Sequence, residues 1–209
     1  MTNPQSPITD HRSPTTIFWD VDDVLNDLMR EWMVYYCYAN GIRMDYERLT
    51  ANPPNKLLGI SIHDFRKSLD DFRLSEPFSK MQPVPLVYKW FTNNASRTRN
   101  IALTATSIST AASSSAWVFK NYSTWIRTFH VVPSPRKNEA LPEYARDKIE
   151  AMSELSHNGI LIDDNEDNIK KAVLAGYTGL LFPRPWNSTA GKSINDFIEE
   201  LDKALETHA

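Results

Sequence analysis

The chain carries one cysteine, six glycines and no apolar run near the length of a membrane span, and each shortage narrows its possible functions. A lone cysteine, Cys37, excludes an internal disulfide. With Tyr35, Tyr36 and Tyr38 around it, it reads as a buried thiol in a chain expected in the cytoplasm. A bilayer span takes about 20 consecutive apolar residues, so no membrane partner is expected. Net charge is −3, from 23 basic and 26 acidic residues, with pI near 6.0. That balance gives no global attraction to nucleic acid. There is no internal repeat. Gly191-Lys192-Ser193 lacks the glycine-rich loop of a phosphate-binding P-loop. His63 and His130 have no cysteine or histidine at zinc-ligand spacing.

What is present is apolar mass and acid. With 209 residues, 41% of them hydrophobic, the chain fits one domain with a modest insertion. Residues 1–14 are polar, contain proline and lack the apolar core of a signal peptide, so they read as a flexible tail. Short apolar runs at 15–19, 100–103, 129–132, 160–162 and 178–182 alternate with helical patterns. Such alternation predicts an α/β fold, a Rossmann-like parallel sheet with helices on both faces. Residues 15–26 and 91–209 would form this core. Residues 27–90 are too long for an ordinary crossover and predict a small helical cap over the edge of the sheet. Within it, 28–39 reads as a helix stopped by Asn40-Gly41, and 62–72 and 85–91 as further helices. A last helix at 193–206 carries Ile194, Phe197, Ile198, Leu201 and Leu205 on one stripe, a packing face.

The acids sit where strands end. Thr16-Ile17-Phe18-Trp19 runs into Asp20-Val21-Asp22-Asp23, and Ile160-Leu161-Ile162 runs into Asp163-Asp164. Carboxylates crowded at one sheet edge repel one another unless a cation or a proton lies between them. Ile101-Ala102-Leu103 ends in the hydroxyl of Thr104. A fourth feature is a lysine. On the helical pattern 142–155, Ala145, Ile149, Met152 and Leu155 form the apolar stripe, and Lys148 falls inside it. A lysine there is costly unless it reaches an anion; snorkelling along the stripe is the plainer alternative. Lys137, in the loop after 129–132, is a rival.

Strand-end acids, a hydroxyl, a lysine and strand-end acids, in that order, resemble the haloacid dehalogenase-like superfamily over residues 15–186. Asp20-Val21-Asp22-Asp23-Val24-Leu25, the helical insertion behind it, Ile162-Asp163-Asp164 and Asn168 look most like its 5′(3′)-deoxyribonucleotidase-type phosphatases. Asp23 departs from that pattern, which usually has glycine there. The resemblance implies a Mg²⁺-dependent phosphomonoesterase. In it Asp20 is the nucleophile that forms an aspartyl-phosphate, and Asp22 is the acid and base. Asp20, the backbone carbonyl of Asp22, Asp163 and Asp164 surround the metal, and Thr104 and Lys148 (or Lys137) bind the phosphoryl oxygens.

The substrate class is a small phosphorylated metabolite, with a nucleoside monophosphate the first choice because Trp32, Tyr35, Tyr36 and Trp90 of the insertion are available to stack on a base. A sugar phosphate is the alternative. Arg184, in Phe182-Pro183-Arg184-Pro185-Trp186, is a weaker phosphate candidate. Two other classes compete: a phospho-receiver domain, which needs an acid at the end of 129–132 that this chain lacks, and a catalytically silent binding module, against which the intact acids speak.

Overall fold

The computed structural model describes residues 14–134 and 142–208. Five strands form one sheet: β1 (Thr15–Trp19), β2 (Thr98–Thr106), β3 (Ile126–Pro133), β4 (Ile160–Asp163) and β5 (Thr178–Leu181). All neighbours pair in parallel, in the order β3-β2-β1-β4-β5. β1 is therefore the centre of the sheet, with β2 and β4 on either side. Its side chains alternate between two apolar clusters: Ile17 and Trp19 join one, and Phe18 joins the other with Ile101, Leu103 and Leu161. Alternation into two cores requires helices on both faces.

The helices are α1 (Leu28–Asn40), α2 (Ile62–Arg73), α3 (Glu76–Lys80), α4 (Pro85–Asn94), α5 (Ile108–Tyr122), α6 (Lys148–Leu155), α7 (Glu166–Leu174) and α8 (Ile194–His208). α1 ends at Gly41, whose φ of 64° is left-handed and costs glycine little. The chain leaves the sheet edge at Asn26 and comes back to it at Pro83. These two residues form a β-bridge, and Val84 N–H donates to the Leu25 carbonyl at 3.0 Å. α1, α2 and α3 lie within that excursion. α4 follows the return and packs on the sheet: Trp90 and Phe91 lie 5.3 and 4.7 Å from Trp19 between ring centres, and the Trp90 indole donates to Asp202 of α8.

Three local expectations change. β2 runs to Thr106, so Thr104 stands inside the strand and not at its end. α6 begins at Lys148, six residues later than the pattern 142–155 suggests. Ala145 has a left-handed φ of 49°, and the Asp147 carboxylate caps the helix by accepting from Ile149 and Glu150 N–H. Cys37 is half-buried on α1, not sealed in the core. Among the described residues no helix is long and apolar enough to cross a membrane.

Candidate active site

The site begins where β1 stops. Asp20 N–H still donates to the Ile162 carbonyl at 2.9 Å, so the backbone of Asp20 is held by the sheet one residue beyond the strand. A tight helical turn, Val21–Leu25, follows. Within it Asp22 is extended and Asp23 is left-handed, with φ 63° and ψ 15°. This reversal brings the carboxylates of Asp20 and Asp22 to one cavity, although residues two apart on a continuing strand would share a face in line. Left-handed backbone explains why glycine suits position 23; aspartate is among the few other residues that tolerate it. The Asp23 carboxylate also accepts from Met29 N–H at 2.9 Å, while Asn26 Oδ1 accepts from Asp23 and Leu28 N–H, each at 3.1 Å.

β4 delivers the second set. Asp163 is fully buried; its Oδ1 accepts from Asn165 N–H at 2.9 Å and its Oδ2 from Asn168 Nδ2 at 3.0 Å. Asp164 Oδ2 accepts from the Trp186 indole at 2.7 Å. Lys148, the first residue of α6, is only 4% exposed, and its Nζ lies 2.8 Å from Asp20 and 2.7 Å from Asp163. Lys137 lies outside the described residues. Thr104 of β2 is buried in the cavity wall, next to Ala105 and Thr106.

Asp20, Asp163 and Asp164 each offer a carboxylate oxygen, all within 4.8 Å of one another. Fully ionised, they carry −3 against the single + of Lys148. At 4.8 Å each uncompensated pair repels by about 3 kcal/mol even at an effective dielectric near 20. The protein feels this strain. Burial, only partly offset by Lys148 and reinforced by Asp163 and Asp164, holds the Asp20 carboxyl well above the usual range. Burial and the charges of Asp163 and Asp23 push Asp164 up to about 7. Burial would lower Lys148, but Asp163 and Asp20 outweigh it and hold the ammonium charged. Hard oxygen donors with two surplus negative charges fit one divalent cation of the Mg²⁺ type. The carboxylate of Asp22 lies outside this cluster, and only its backbone carbonyl is expected at the metal: its Oδ2 accepts from Arg73 Nη2 of α2 at 2.7 Å.

The described residues thus bring Asp20, Asp22, Thr104, Lys148, Asp163 and Asp164 together around one cavity of about 570 Å³. Arg73, which also reaches Asp70 at 3.4 Å, is the member that motif reading overlooks. Arg184 is not a phosphate ligand. Its guanidinium is consumed by the carbonyls of Asp23 and Asn26 and by the Asp27 carboxylate, tying the loop after β5 to the turn after β1. Nor do Trp32, Tyr35, Tyr36 and Trp90 line the cavity. Trp32 stacks on Tyr36 and meets Phe65 edge to face, and Tyr35 tilts against Phe72, as packing; among the described residues the aromatic rings in the wall are Phe65 and Trp186.

No family model and no curated protein sequence matches the chain. Solved structures do. A haloacid dehalogenase-like family hydrolase from Streptococcus pneumoniae superposes with a TM-score of 0.60 at 12% identity, over 91% of this chain and 98% of its own. This chain has the haloacid dehalogenase-like fold. A second hydrolase, from Streptococcus pneumoniae TIGR4, gives a TM-score of 0.54 at 12% identity over 91% and 100% of the two chains. A haloacid dehalogenase family hydrolase from Deinococcus radiodurans, solved with bound phosphate and sodium, gives 0.52 at 12% identity over 88% and 87%.

Proposed function

We propose that the protein is a Mg²⁺-dependent phosphomonoesterase that acts on a small phosphorylated metabolite through an aspartyl-phosphate on Asp20. The observation that carries this reading is the buried triad of Asp20, Asp163 and Asp164 sharing one lysine, a set whose surplus charge calls for a cation and whose cation would attract phosphate. Asp20, Asp163 and Asp164 would hold the Mg²⁺, which would supply the charge neutralisation that lets an anionic nucleophile approach a phosphate dianion.

Asp20 attacks phosphorus and the ester P–O bond breaks. Asp22 gives the departing oxygen a proton, then takes one from the water that cleaves the acyl phosphate and frees Asp20. Oδ1 of Asp22 is buried and without a partner among the described residues, whereas Oδ2 accepts from Arg73, so Oδ1 is the oxygen open for this transfer. Lys148 and Thr104 hold the phosphoryl oxygens. Lys148 exchanges carboxylate for phosphoryl contacts without leaving its buried place, so its charge is paid for in both states. The residues of α2 in the cavity wall shut out bulk water and limit the substrate to small molecules.

A nucleoside monophosphate remains one substrate to test, with Phe65 and Trp186 now the planar surfaces near the acids; a sugar phosphate is the other. Hydrolysis across a panel of nucleotides and sugar phosphates with Mg²⁺ tests the proposal. Release of phosphate from some members is expected, and none from any would contradict it.

A further inference from the structure

The cavity has two unlike walls. The strand ends supply acids, whereas α2 turns Ile62, Phe65, Arg66, Leu69 and Arg73 toward them. Among the described residues three cations line this space, and two are committed: Lys148 to Asp20 and Asp163, Arg73 to Asp22 and Asp70. Arg66, half-buried in the same wall as the buried Phe65 and Leu69, makes no hydrogen bond or ion pair among the described residues. We infer that the substrate carries a second anionic group, remote from the phosphate that is cleaved, and that Arg66 reads it. This rests on the phosphatase reading and narrows its substrate class to doubly anionic metabolites such as phosphorylated sugar acids or sugar bisphosphates.

Cost and position carry the argument. A guanidinium on an apolar wall gives up hydration and recovers it only against an anion. The strand-end acids do not serve: they are met by Lys148, and in the working protein by metal. Arg66 and Arg73 are seven residues apart, two turns along one face of α2, which separates them by about 10 Å along the axis. Arg73 is fixed at the phosphoryl end by its 2.7 Å bond to Asp22. Arg66 therefore stands about the length of a sugar chain further out. Arg73 keeps one buried donor, Nε, without a partner, so the guanidinium that anchors α2 is itself incompletely paired until an oxyanion arrives. A nucleoside monophosphate puts a neutral base where Arg66 lies and leaves it unmatched.

The test compares probes that differ only at the far end: 6-phosphogluconate against sorbitol 6-phosphate for a carboxylate, and fructose 1,6-bisphosphate against fructose 6-phosphate for a phosphate. Wild-type protein with Mg²⁺ should show a higher kcat/KM for the doubly anionic member of at least one pair. Arg66→Gln should cut that preference about 10- to 100-fold, the scale of one charge-assisted hydrogen bond, and Arg66→Lys should keep part of it. No preference in wild type, or the same preference in Arg66→Gln, overturns the inference. Calorimetric binding of 6-phosphogluconate separates the two claims. If no probe is hydrolysed yet binding still depends on Arg66, the phosphatase reading falls and the second-anion site stands; hydrolysis without Arg66 dependence does the reverse.

Discussion

At the scale of single residues, the acids at the ends of β1 and β4 were legible because a buried strand that ends in carboxylates has few other uses. Asp20→Asn should abolish turnover and leave no phosphoenzyme to trap on denaturing gels, while retained turnover would reassign the nucleophile. Lys148 was legible through its cost, as a lysine on an apolar stripe. Arg73 carries the same signal: it follows Phe65 and Leu69 at four-residue steps on α2, a cation continuing an apolar stripe. What the stripe does not say is that its partner is Asp22, because a separation of 51 positions carries no register. Lys148→Met should slow turnover by about 10²-fold or more. It should also destabilise the metal-free protein, since Asp20 and Asp163 lose their shared counter-ion.

A pH effect follows from Asp164, raised to about 7 from an ordinary value of 3.8. Below about pH 4 the group is protonated in both folded and unfolded chains and costs nothing. As pH rises toward 7 the unfolded chain ionises it first, so the native state is progressively disfavoured, and the cost is complete above about 7. In chelator, Asp164→Asn should therefore melt above wild type at pH 8 and close to it at pH 3.5. Asparagine still accepts from the Trp186 indole. An equal difference at both pH values would mean that Asp164 is not held protonated by its surroundings.

At the scale of elements, the strands were found by their apolar runs, but their ends were not. β2 continues through Thr104 to Thr106 because its polar residues are buried by neighbours that the chain contacts only after folding: Thr106 shares a hydrogen bond with Thr110 of α5. The start of α6 was misplaced for a local reason, since Asp147 caps better than the apolar stripe predicts. The cap has a functional corollary: it fixes the first turn, from which Lys148 reaches inward. Asp147→Ala should cost about 1 kcal/mol, roughly 2–4 °C in Tm for a chain of this size, and slow turnover as Lys148 loosens. A drop in Tm with unchanged turnover would separate the cap from the site.

At the scale of the whole molecule, parallel pairing follows from strands alternating with helices; the central place of β1 does not, and neither does the return of the chain at Pro83. It depends on the bridge to Asn26 and on α4 docking through Trp90 and Phe91, contacts between residues far apart in sequence. Trp32 of the excursion and Trp90 of α4, available by sequence to stack on a base, serve packing, as large rings usually do. What the assembled molecule does hold in common is one cavity where the ends of β1, β2 and β4 face α2. The central claim is that this cavity binds a divalent cation and uses Asp20 to cleave a phosphate ester. Hydrolysis of an aryl phosphate, followed with Mg²⁺ and again after chelation, tests it most directly. The account predicts turnover with the metal that stops on chelation and returns when Mg²⁺ is restored, whereas undiminished turnover in metal-free buffer would contradict it.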